Sequence, residues 1–226
     1  MGKTNYKIKP YSQKAVEDKI TNLVNEAKQD RKNYHTEKNL LHNEEISFTK
    51  IRIDKDYLRY YTENNRTVGD CRHFTQKENN ELPDDYFSYK NIDNTEVQQN
   101  YHSIIYKQAD VDVIVDAYTI QKEQRDPIYI TTKGVVANGN TRLSVIREKM
   151  DEWHYVDCYV YDDKYHDNWH LIESHTSQKD NIKDFRQPDP WYSKYDTYQK
   201  YKKWGMNEEV IARMMNYYKG NSSSPD

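Results

Sequence analysis

No stretch of this 226-residue sequence approaches the roughly 18 consecutive apolar residues that a membrane-spanning helix requires. The opening segment MGKTNYKIKPYSQK also has no apolar heart of a secretion signal, so a cytoplasmic protein with no membrane partner is expected. Cysteine is scarce: Cys71 and Cys158 stand far apart and form no C-x-x-C pattern, which argues against a disulfide framework and fits a reducing compartment. A basic excess is missing too. Lys and Arg total 34 against 37 Asp and Glu, for a net charge of −3, so the chain as a whole is not built to coat nucleic acid. Any contact with DNA must be local.

Apolar residues make up 35% of the chain and mean hydropathy is −1.22, values that verge on those of disordered chains. The aromatic content decides otherwise. With 22 Tyr, 4 Trp and 4 Phe, rings can supply much of the burial that Leu and Val usually provide. Six glycines and six prolines interrupt the chain rarely. The composition points to a folded protein with a polar surface, and its Lys, Asn, Ile and Tyr bias suits an AT-rich bacterial or phage genome.

Ser12 can cap a helix in which Val16, Ile20, Leu23, Val24 and Ala27 recur at helical spacing, ending near Lys32. Ile46, Phe48, Ile51 and Ile53 mark a strand at about 45–53. Residues 62–100 are polar, rich in Asn and poorly periodic, and read as a long connection. DVDVIVDAY fits a strand and a helix equally. PIYITTKGVVANGN reads as a hairpin turning at Thr-Lys-Gly, a helix follows from Thr141, and VDCYVYDD is a further strand. Asp189-Pro190 opens a helix that Gly205 stops, and Asn207 caps another before the SSSPD tail. These signals give an α+β fold.

VVANGNTRLSVIREK compresses a strand, a Gly-containing turn and a helix start into a few residues, the arrangement of an anion site. Gly139 permits close approach and Arg142 can offer a bidentate fork to phosphate. The same letters also describe a plain turn capped by Asn140 or Thr141. A second group, Cys158, Asp162, Asp163, His166, Asp167, His170, Glu173 and His175, offers metal-type side chains, with His166 and His170 at the spacing of one helix face. It matches no zinc spacing, and Mg²⁺ through Glu173 beside bound phosphates is the better fit. Cys71 and His73 form a similarly weak pair.

RDPIYITTKGVVANGNTRLSVI resembles the core of the ParB N-terminal domain family, within the wider ParB and sulfiredoxin fold. Pro127-Ile128-Tyr129-Ile130 stands for the family's Pro-Ile-x-Val-like strand and Gly139-Asn140-Thr141-Arg142 for its Gly-x-x-Arg turn. Asn64, Asn65 and Arg66 resemble its Asn-x-Arg-like segment, and Leu171-Ile172-Glu173 the start of its Glu-Asn motif. The similarity spans about residues 45–215. Asn140 and Thr141 stand where sulfiredoxins carry Cys and His, so peroxiredoxin repair has no nucleophile here. Ser174 follows Glu173, which departs from the CTP-binding pattern. WGMNEEVIARMM resembles the first helix of the family's helix-turn-helix, with no recognition helix after it in this sequence.

The resemblance implies a small mixed sheet with flanking helices: a helical N-terminal extension (1–43), a ParB/sulfiredoxin-like domain (44–165), a helical region (166–220) and a tail (221–226). It implies a DNA-associated regulator that binds a nucleoside triphosphate, CTP by likeness, with Mg²⁺, and a possible homodimer. The nucleotide contacts it implies are Arg66, Pro127, Ile128, Gly139, Asn140, Thr141 and Arg142, with Glu173 as metal ligand or catalytic carboxylate. Lys200, Lys202, Lys203 and Arg213, interleaved with Tyr and Trp, are candidate nucleic-acid contacts or the lysine rim of a packed aromatic face. The alternatives are a metal-dependent nuclease or phosphotransfer enzyme, NTPase activity included, and an interaction module without nucleotide.

Overall fold

The computed structural model describes residues 4–39, 42–77, 82–121, 124, 126–165, 168–182 and 191–216. In chain order the elements are α1 (Gln13–Ala27), β1 (Tyr34–Asn39), β2 (Glu44–Asp54), β3 (Arg59–Tyr60), α2 (Val68–Lys77), α3 (Thr95–Gln108) and α4 (Val111–Gln121). There follow β4 (Ile128–Ile130), β5 (Val135–Asn138), α5 (Asn140–Lys149), β6 (Tyr155–Tyr161), α6 (Trp169–Ile182), α7 (Trp191–Lys203) and α8 (Glu208–Asn216). The strands form one mixed sheet in the order β1-β2-β6-β4-β5-β3, so the expected α+β class holds. β3 runs parallel to β5, and β4 antiparallel to it.

Alternation along the strands sorts the core into two layers. Ile51, Ile53, Tyr60, Ile128, Ile130, Val136, Val156, Cys158 and Val160 face one side, where Val16 and Ile20 of α1, Tyr101 and Ile105 of α3, and Leu143 and Ile146 of α5 cover them. Ile46, Phe48, Tyr129 and Tyr161 face the other, under Leu171 and Ile172 of α6. Both thiols are buried, and burial pushes the Cys71 thiol up to about 12.

α1 begins where expected, with Ser12 Oγ accepting from the Ala15 amide at 3.2 Å, but ends at Ala27 rather than near Lys32. Its apolar face packs on the sheet. The hairpin β4–β5, the helix after it and β6 all form as the patterns predict, and DVDVIVDAY lies in α4. Gly205 stops α7 at φ +74°, and Asn207 Oδ1 accepts from the Glu209 amide at 2.8 Å. The Asp189-Pro190 helix opening and the tail lie outside the described residues.

Two expectations are corrected. Residues 62–100 are not a structureless connection, since they hold α2 and the start of α3. The helical stripe of α3 escapes notice because Gln98 and His102 take core positions. Gln98 accepts from the Tyr60 amide at 2.7 Å and donates to the Tyr60 carbonyl at 3.0 Å, closing the β3 edge with a side chain. Secondly, the extension expected at 1–43 is not only helical. β1 pairs with β2 along its length, so the boundary at 43/44 falls inside a hairpin. Its inward residues are His35, Glu37 and Asn39, which leave no apolar alternation to read.

Candidate functional site at the carboxyl ends of β3 and β5

Because β3 and β5 are parallel neighbours, the loop after β3 and the turn into α5 emerge at the same end of the sheet, the place where open sheets with parallel strands present ligand crevices. Gly139 makes the turn at φ +105°, in the left-handed region. A Cβ there would stand 3.1 Å from Arg142 Nη2 and 3.3 Å from Ile128 Cγ1, so the position suits glycine alone. α5 starts at once, with the Leu143 amide bonded to the Gly139 carbonyl at 2.9 Å and no side chain capping the helix. The positive end of its dipole is left to whatever else approaches.

Asn140 stands at the first position of α5 and is only 6% exposed. Neither its Oδ1 nor its Nδ2 has a partner among the described residues. Thr62 lies 2% exposed just past β3, and its Oγ1 is likewise without a partner. Tyr60 is the last residue of β3 paired with β5, opposite Val136, and Thr62 lies in the turn two residues beyond it. Leaving such groups buried and unbonded costs about 1–3 kcal/mol each. At Asn140 that cost falls at an uncapped helix start, where water or a ligand group can supply the bonds.

Arg142 does not reach outward. It donates to the Asp126 carbonyl and, through Nη2 at 3.2 Å, to Asn138 Oδ1, so it braces the turn against the segment that leads into β4. Ile128 is fully buried and packs under Gly139, and Pro127 is half-buried ahead of it. The Thr141 carbonyl accepts from Ser144 Oγ at 2.7 Å. Arg66 is half-buried in the loop after β3, which Thr67 anchors through a 2.8 Å bond to the Tyr101 hydroxyl.

Glu173 of α6 meets that loop. Its carboxylate accepts from the Tyr61 hydroxyl at 2.8 Å, from Asn65 Nδ2 at 3.4 Å and from Lys200 Nζ. Lys200 also donates to the Glu63 carbonyl at 2.9 Å and sits 4.7 Å from the Trp204 ring centroid. Burial and the Glu173 charge hold the Tyr61 phenol well above its ordinary value, so it remains a neutral donor. Tyr61 stacks on Trp169 at 4.1 Å with the rings 4° from parallel. Two of the four segments singled out in the sequence, Asn64–Arg66 and Leu171–Glu173, thus come together. The Glu173 carboxylate is ion-paired with Lys200.

The second group of metal-type residues disperses. Cys158 is in the core of one layer; His175, on the other side, joins Tyr161 at 2.9 Å and Glu37 at 3.0 Å. His170 lies against the Trp204 ring at 4.2 Å, and Asp162 accepts from Ser47. His166 and Asp167 lie outside the described residues, among which no three His, Cys, Asp or Glu side chains converge. Of the basic set, Lys200 is committed to Glu173, Lys202 pairs with Glu208 at 2.7 Å, Lys203 is exposed, and the Arg213 side chain lies outside the description. Thr62, Tyr61 and Trp169 were missed. A polar residue in a polar stretch gives no periodic signal.

Comparison with protein-family models, with curated proteins and with solved structures finds no match to this chain. No helix among the described residues is long and apolar enough to cross a membrane.

Proposed function

We propose that this chain is a nucleotide-binding regulator of the ParB-like kind, DNA-associated by that resemblance, which holds ligand phosphates at the turn from Gly139 to Arg142. One observation carries the reading: Asn140, buried with both polar atoms unbonded, at the uncapped start of α5. A phosphate group there accepts from the helix-start amides and from Asn140 Nδ2. Arg142 acts by holding the turn and by its positive charge close at hand. Because Asn140 is buried, entry requires the groups around it to shift, and ligand binding offsets the polar cost borne without it. Mg²⁺ enters with the phosphates in this reading, and no step depends on a metal held by the protein.

The test is thermal denaturation of the wild-type chain and Asn140→Ala against CTP, ATP, GTP and UTP, with and without Mg²⁺. A nucleotide at ~100 Kd stabilises the wild type by about 2.7 kcal/mol, and Asn140→Ala loses that response. Without nucleotide the variant is as stable as the wild type or up to about 1 kcal/mol more so, because it removes two unbonded polar atoms. No response of the wild type to any nucleotide rejects the proposal.

A further inference from the structure

Among the described residues, the large hydrophobic side chains left mostly exposed are Tyr34, Val113, Ile120, Tyr155 and Tyr195. Val113 and Ile120 are the two aliphatic ones, 62% and 81% exposed, and both belong to α4. They stand seven residues apart with exposed Ala117 between them, so the three line one stripe at i, i+4 and i+7. The opposite face accounts for the helix's own burial. There Ile114 and Tyr118 pack on the core, Tyr118 edge-on to Trp153 at 4.9 Å. In a chain of mean hydropathy −1.22, a helix apolar on both faces is out of keeping unless the outer face is also covered.

The rim says what covers it. Asp112 and Asp116, both exposed, flank the stripe on one side, and Asp110 stands at the start of the helix on the other. Two copies of α4 packed together would set these carboxylates against one another, which disfavours self-association. Anionic lipid is repelled for the same reason. We infer that the outer face of α4 docks an amphipathic helix of another protein, one whose apolar stripe is bordered by Lys or Arg. Three side chains make a short contact, so the complex is a transient one. This surface is independent of the turn at Gly139.

The test uses the full chain and a fluorescent designed helix of about 18 residues, Leu on one face and Lys at its borders, beside the same helix with Glu replacing Lys. The basic helix is expected to bind and the acidic one not, with the affinity for the basic helix falling roughly tenfold in the Val113→Ser/Ile120→Ser variant. Both substitutions are on exposed positions and leave the fold intact, which circular dichroism checks. Equal affinity for wild type and variant overturns the inference, since binding would then be diffuse charge attraction. Concentration-dependent self-association of the wild type that the variant abolishes, without uptake of the basic helix, assigns the stripe to a second copy and overturns it too. So does flotation of the wild type, but not the variant, with zwitterionic vesicles.

Discussion

His102 of α3 and Tyr60 of β3 meet at 2.7 Å between the imidazole Nδ1 and the phenol oxygen, with the ring fully buried. On its other side His102 Nε2 lies 2.8 Å from Glu148, which takes the proton-bearing nitrogen and leaves Nδ1 to accept from Tyr60. Burial pulls the His102 pKa down to about 4, outweighing the raising effect of Glu148.

The unfolded chain takes up a proton on this histidine near pH 6.5, while the folded chain resists until about pH 4. Stability from His102 is therefore complete above about pH 6.5 and declines as pH falls, by about 3 kcal/mol near pH 4. Urea unfolding between those values should show this slope. His102→Gln should flatten it, and an unchanged slope in the variant would contradict the assignment.

Lys200→Ala leaves the Glu173 carboxylate nearly buried without its cation. With Lys200 16% and Glu173 9% exposed, we expect a loss of about 2–3 kcal/mol, less than for a fully enclosed pair. Lys200 and the Arg72–Asp196 bridge tie α7 to the rest of the fold, so hydrogen exchange should quicken first in α7 and α8. The double variant Glu173→Gln/Lys200→Met should recover much of the loss. Uniform quickening through the sheet would count against this latch.

Gly134 and Gly205 both have φ of +74°, yet they should respond differently to alanine. A Cβ at Gly205 would meet no atom of the described residues within 4 Å, so Gly205→Ala costs only the backbone strain, about 1 kcal/mol. A Cβ at Gly134 would lie 2.6 Å from Val16 Cγ1 and 3.1 Å from the Tyr57 carbonyl, so Gly134→Ala adds a clash and should cost about 3 kcal/mol. Equal losses in chemical denaturation would show that α1 does not press on the hairpin.

What the sequence reveals and hides follows from which residues face inward. β2, the β4–β5 hairpin and α5 are legible because Ile, Val and Leu mark their buried sides. β1 and α3 are hidden because His35, Glu37, Gln98 and His102 take inward positions, where Glu37 bonds His175, Gln98 bonds Tyr60 and His102 bonds Glu148, pairings that no periodicity announces. The Gly139 turn is legible from its glycine and its place between strand and helix. The inward folding of Arg142 onto Asp126 is not, and neither is the pairing of Glu173 with Lys200, since both depend on residues distant in the chain.

The most direct test of the account is a titration followed through the side-chain amide of Asn140 by heteronuclear NMR, with CTP, ATP, GTP and UTP in the presence of Mg²⁺. One nucleotide is expected to shift the Asn140 Nδ2 protons together with the backbone amides of Gly139 and Thr141, saturably and with one dissociation constant. Resonances that stay in place at saturating nucleotide, or shifts confined to the exposed lysines of α7, would contradict it.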